Sequence, residues 1–224
     1  MGSEDLFHKR KAKGIKNLAR KRSQRDAYDK VLIVCEGEKT EPLYFKDARN
    51  HHKLNTLNIQ VEGIGKDPLT LVEHAKALYK AEERLGDPYD KVFCVFDKDQ
   101  HTTYEQALML VKNIGVKGEW LAVTSVPCFE YWLLLHFNYS AQPFYPVPNL
   151  SASQAAVKKL KEHLPSYEKG DTGLYSKLLD QVETAIGCAK TIAAEAQRNK
   201  TDNPSTKMHE VIEYIRKIKT STKN

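Results

Sequence analysis

VLIVCEGEKTEPLYF, residues 31–45, sets an apolar run against a cluster of carboxylates. Val31 to Val34 are four aliphatic residues without a polar break, and Cys35 follows them. Such a run predicts a strand buried on both faces, the kind that parallel sheets use. Glu36, Glu38 and Glu41 come immediately after. A buried strand that ends on acids does not use them to build its core, so the carboxylates call for a separate explanation.

Outward from this stretch, strand-like and helix-like patterns alternate. TEPLYFKDARNHH reads as a helix that tolerates Pro42 in its first turn. LNIQVEGIG alternates Leu57, Ile59 and Val61 and predicts a second strand. DPLTLVEHAKALYKAEERLG predicts a helix capped by Asp67 and stopped at Gly86. DKVFCVFDKD is a third buried strand, TTYEQALMLVKNIG a helix ending on Gly115, EWLAVTSVP a fourth strand and CFEYWLLLHF a compact apolar helix. This succession predicts an α/β fold over residues 30–140: a mainly parallel sheet with helices on both faces. NYSAQPFYPVPNLS, residues 138–151, holds three prolines and no period, and reads as a linker or surface loop. Beyond it, SASQAAVKKLKEHL, TGLYSKLLDQVETAIGCAKTIAAEAQRN and STKMHEVIEYIRKIKT each read as one helix. They make residues 141–224 a helical extension on or beside the sheet.

The charge is unevenly placed. The chain of 224 residues carries a formal net charge of +6, yet residues 8–25 alone hold nine Lys or Arg and no acid. The rest has 26 basic against 29 acidic residues. Residues 1–29 are therefore a basic, flexible arm of the kind that attracts phosphate backbones. No apolar run approaches a membrane span, and the start lacks a signal-peptide core. The expected location is cytoplasmic, without a membrane partner. Cys35, Cys94, Cys128 and Cys188 are widely spaced, which predicts reduced thiols rather than disulfides or a zinc site.

The acids acquire meaning once they are placed on the strands. Glu36 stands at the carboxyl end of the first strand, Asp97 and Asp99 at that of the third, and Glu130 in the first turn of the helix after the fourth. In a parallel sheet these ends share one edge, the edge where open α/β sheets bind ligands. Carboxylates crowded together raise each other's pKa, and a divalent cation removes the conflict. Oxygen ligands without Cys or His suit Mg2+, or Mn2+, and such sites carry out phosphoryl chemistry. Lys39 and Lys98 lie beside the acids and are placed to offset a phosphate charge. His101 follows Asp99 by two residues, as a proton donor or an orienter of water. His136, in an apolar helix, and His51 and His52, at a helix end, read as structural. Trp120, Trp132, Tyr139, Phe144 and Tyr145 are packing residues, though an exposed aromatic near the acids would stack a base. EGEKT and GIGKD echo phosphate-binding loops, but neither meets G-x-x-x-x-G-K-[ST].

A strand ending in Glu-Gly, followed by another ending in Asp-x-Asp, resembles the TOPRIM domain of topoisomerases, bacterial primases and OLD nucleases. More closely, VLIVCEGEKTEPLYF, VFCVFDKDQH, VPCFEYWLLLHF and the late NPST at 203–206 together resemble the RloB family of small TOPRIM-like proteins from bacterial defence loci. The resemblance runs from about residue 30 to 215. It implies that Glu36 does acid/base or metal work and that Asp97 and Asp99 hold metal. OLD-type nucleases carry a further acid after Glu-Gly; Glu41 is its nearest equivalent here at one residue longer spacing, with Glu38 as the other candidate. Glu130 matches the later segment as a ligand for a second metal. The resemblance also brings Asn203, Ser205 and Thr206 to the active edge as substrate contacts, although Ser205 and Thr206 after Pro204 read on their own as a helix start.

The favoured reading is an Mg2+-dependent endonuclease in phage defence, cutting RNA, tRNA foremost, ahead of DNA. An ABC-type ATPase partner follows by family analogy alone. The alternatives are a non-catalytic nucleic-acid-binding or adaptor subunit, and a nucleotidyl transferase.

Overall fold

β1 (Val31–Cys35) is buried at every residue because it runs through the middle of the sheet, between β2 (Ile59–Gly63) and β3 (Lys91–Asp97). The computed structural model describes residues 27–98 and 101–220; the basic arm up to residue 26, with Asp99 and Gln100, lies outside the described residues. β4 (Glu119–Val126) and β5 (Ser205–Thr206) complete a five-stranded sheet in the order β2-β1-β3-β4-β5. β1 to β4 are parallel, and β5 alone is antiparallel. From β1 the chain turns outward to β2 and then crosses back to β3, so the strand order reverses between β1 and β3. That switch point opens a crevice at the carboxyl ends of the strands.

Alternation along each strand feeds two cores. On one face Leu32, Val34, Val92, Cys94 and Phe96 meet α2 (Pro68–Arg84) and α3 (Tyr104–Lys112). On the other, Val31, Ile33, Phe93, Val95 and Val123 meet α1 (Thr40–His51) and α4 (Phe129–Leu134). The same cluster continues through α5 (Ala152–His163), α6 (Leu174–Lys177), α7 (Val182–Asn199) and α8 (Met208–Lys217), as far as Ile218. Residues 152–218 therefore share the core of the sheet. Trp132 is fully buried at its centre and donates its indole N–H to the Tyr44 hydroxyl at 2.9 Å.

Two helix expectations need correction. Ser205 and Thr206 do not start a helix: they pair with Val126 and Ser125 as β5. The β-branched Thr206 is 1% exposed, its hydroxyl lies 3.0 Å from that of Ser125, and it accepts the Met208 N–H that opens α8. The segment read as one helix over residues 172–199 is divided into α6, a 3-10 turn at Leu179–Gln181, and α7. Here a tertiary contact overrides helical propensity. The Asp47 carboxylate of α1 accepts both the N–H and the hydroxyl of Ser176, and so anchors α6 separately. The four cysteines are free thiols. Among the described residues no helix is long and apolar enough to cross a membrane.

Candidate active site

Glu36 is the first residue beyond β1, and its N–H donates to the Val95 carbonyl at 2.9 Å, which extends the parallel ladder by one step. Its carboxylate then turns to Asp97, the last residue of β3. Oε2 accepts the Asp97 N–H at 3.1 Å, while Oε1 lies 2.7 Å from Nε2 of His101. Asp97 in turn accepts the N–H of Phe129, the first residue of α4, at 3.0 Å. The next residue, Glu130, is 2% exposed. Glu41, 8% exposed, faces the same space from α1.

The four carboxylates feel one another. Exclusion from bulk water, and then the charges of Glu41, Glu130 and Glu36, push the Asp97 carboxyl well above the usual carboxylate range. Burial likewise raises Glu41, with Glu130 and Glu36 adding to the shift. Two residues of the loop after α5 answer this negative charge. Tyr167 donates its hydroxyl hydrogen to Glu130 Oε1 at 3.0 Å, and Lys169 Nζ stands 3.5 Å from the same oxygen. Burial opposes the Lys169 charge, but Glu130, with help from Cys128 and Asp97, outweighs it and raises the ammonium pKa. The loop is tied down where Gly170 donates its N–H to the Thr40 hydroxyl at 3.1 Å.

Glu36, Glu41, Asp97, His101 and Lys169 line a cleft of about 470 Å³ that also takes in Glu38, Lys39, Lys66 and Ser153, and Glu130 and Tyr167 lie behind its wall. The buried Ser153 hydroxyl finds no hydrogen-bond partner among the described residues. All-oxygen donors, with the Asp97 and Glu41 carboxyls pushed up by burial and by their acidic neighbours, fit Mg2+ or Mn2+, and Glu36, Glu41, Asp97 and Glu130 are the residues that would hold it. Among the described residues, no three acid, His or Cys side chains are already drawn around one point as a closed site. Asp99 lies outside those residues.

The remaining expected contacts separate. Lys39 and His101 line the acid cleft. Lys98 turns away, pairs with Asp202 at 2.5 Å and borders a neighbouring cleft. Asn203 spends its side-chain amide on the backbone of Phe144, accepting its N–H at 3.0 Å and donating to its carbonyl at 2.7 Å. Ser205 is half-buried in β5, and Thr206 is enclosed as described above. Lys169 and Ser153, which line the cleft, and Tyr167, which holds Glu130 beside it, are residues that sequence reading misses. In sequence they sit in or beside polar loops, and no periodicity points to the contact with Glu130.

The turn around Glu36 is packed to its limit. A Cβ at Gly63 would stand 2.4 Å from the Gly37 carbonyl oxygen and 2.4 Å from Cγ of Pro42. Backbone cannot move aside as a flexible side chain does. Gly63→Ala is therefore expected to destabilise the fold by about 1–3 kcal/mol, measured as a shift in urea midpoint at unchanged m-value. An unshifted midpoint would show that the turn gives way freely.

The profile of the RloB-like protein family matches residues 31–215 of the chain. That span takes in β1, the acid cleft and most of α8. No curated protein matches the sequence.

Proposed function

The chain belongs to the RloB-like family, and from that premise we propose that it is a metal-dependent nuclease of TOPRIM type, a phage-defence effector acting in the cytoplasm. RNA, tRNA foremost, is the preferred substrate, ahead of DNA, and an ABC-type ATPase is the proposed partner. One observation carries the reading: Glu36, Glu41 and Asp97 line the cleft at the switch point of a parallel sheet, with the Glu130 carboxylate buried close enough to act on Asp97.

A divalent cation held there by Glu36, Glu41, Asp97 and Glu130 would acidify water and offset charge on a phosphate. The chain's own residues supply the rest. The hydrogen-bonded pair Glu36 and His101 lies at the cleft wall and takes the proton from the attacking water as its oxygen bonds to phosphorus. The bond from phosphorus to the leaving oxygen breaks, and the same pair returns a proton to that oxygen. Lys39 and Lys169 reduce the charge that builds up on the phosphoryl oxygens. Tyr167 fixes the Glu130 carboxylate through its hydroxyl.

The test is cleavage of labelled tRNA, other structured RNA and duplex DNA with Mg2+ or Mn2+, compared with EDTA. Metal-dependent cutting of RNA supports the proposal, and cutting of DNA alone replaces the substrate. Binding without cutting, with the ATPase present and absent, would instead make the chain a nucleic-acid-binding adaptor.

A further inference from the structure

A second cleft of about 260 Å³ lies back to back with the acid cleft. Three pairs of consecutive residues divide between the two. Asp97, Cys128 and Ser153 face the acids, while Lys98, Pro127 and Ala152 face the second cleft. Consecutive Cα atoms are only about 3.8 Å apart, so the clefts share a thin common wall. A polymer bound with one phosphate among the acids has this second opening within reach of a neighbouring unit.

The lining of the second cleft suits a planar aromatic ring. Val126, Pro127, Phe144 and Pro146 give it apolar walls. Tyr145 stands at its edge, 67% exposed, although a tyrosine with no partner surface is more often packed away. Its volume falls below the roughly 300 Å³ at which drug-sized pockets begin, so it accepts one ring system rather than a larger ligand. Lys98 lines it next to Asp97 of the acid cleft, and Lys159, outside its lining, lies over the Phe144 ring at 5.8 Å. Asp202, the rim acid, is already paired with Lys98. Asn203 holds Phe144 in place through both ends of its amide, so that amide is not available for reading a base.

We propose that this cleft is a base-stacking subsite that receives an unpaired nucleobase next to the phosphate held at the acids. The proposal rests on the nucleic-acid reading of the acid cleft. Recognition is by stacking on Tyr145 and against the Phe144 and proline walls, so it is tolerant of base identity. A base inside a duplex cannot reach the cleft without leaving its stack. The substrate class is therefore a single strand, a loop or a flipped nucleotide.

The test is fluorescence anisotropy in EDTA, where no cutting occurs, with a labelled 12-nucleotide single strand, the same strand carrying central abasic sites, and the 12-base-pair duplex. The wild-type chain is expected to bind the intact strand about tenfold or more tightly than the abasic strand. Tyr145→Ala should weaken intact-strand binding by a similar factor and abolish the difference from the abasic strand, whereas Tyr145→Phe retains both. Because Tyr145 is exposed, folding of these variants is not at issue. Equal binding of intact and abasic strands, or intact-strand affinity unchanged in Tyr145→Ala, overturns the subsite. Displacement of the strand by micromolar AMP or UMP overturns the strand reading in favour of a free-nucleotide pocket. The nuclease reading fails separately: a Tyr145-dependent preference for bases without metal-dependent cutting keeps the subsite and removes the nuclease. Cutting that is indifferent to Tyr145, with no preference for bases, does the reverse.

Discussion

Asp97→Asn is expected to reduce metal-dependent cleavage about a thousandfold or more, close to 4 kcal/mol of transition-state stabilisation, and to leave the fold intact. The substitution separates charge from structure. An asparagine oxygen still accepts the Phe129 N–H, and the backbone N–H of residue 97 still reaches Glu36. What disappears is the carboxylate at the centre of the cluster, the one crowded by Glu41, Glu130 and Glu36 together. Single-turnover cleavage beside a urea melt decides the matter. Activity within tenfold of wild type would remove Asp97 from the chemistry, and a collapsed melting transition would make the residue structural. Glu36→Gln keeps the acceptor for the Asp97 N–H and serves as the companion variant.

The second large effect is on folding. A chain cut back to residues 27–140 is expected not to fold cooperatively. The missing portion is no appendage, because the hydrophobic cluster that begins at Val31 runs on without a break to Ile218. Removing residues 141–220 would uncover α4 around Trp132 and Leu133 and part of β4, and would strip β5 from the edge of β4. The expected product retains far-UV circular dichroism, loses its near-UV signal and binds ANS. A sharp unfolding transition in the fragment would instead establish an independent α/β domain with a helical extension packed on it.

The order of strands and helices from residue 31 to 134 was legible because each element buries a regular pattern, and regular patterns are local. The strand-end acids were legible for the same reason: Glu36 and Asp97 each follow directly on an apolar run. Lys98 shows where local reading fails. It is next to Asp97 in sequence, but successive side chains at the end of a strand point to opposite sides, and Lys98 enters the other cleft. Lys169 and Tyr167 reach Glu130 across more than thirty positions. That contact depends on how the loop after α5 docks on Thr40, and nothing in either segment announces it. β5 has only two residues, too few to display a period. The Asn203 amide is occupied by a backbone 59 positions away, which no motif reveals.

The loop that carries Tyr167 and Lys169 also has a consequence for biosynthesis. The acid cleft draws on residues 36, 41, 97 and 169, with residues 130 and 167 buried beside it, while the core that seats them is closed by α8. A chain still emerging from the ribosome therefore lacks part of the core that seats these acids. Their assembly into one cleft is expected only once α8 has been made. The proposed nuclease activity is therefore expected to appear only once α8 has been made.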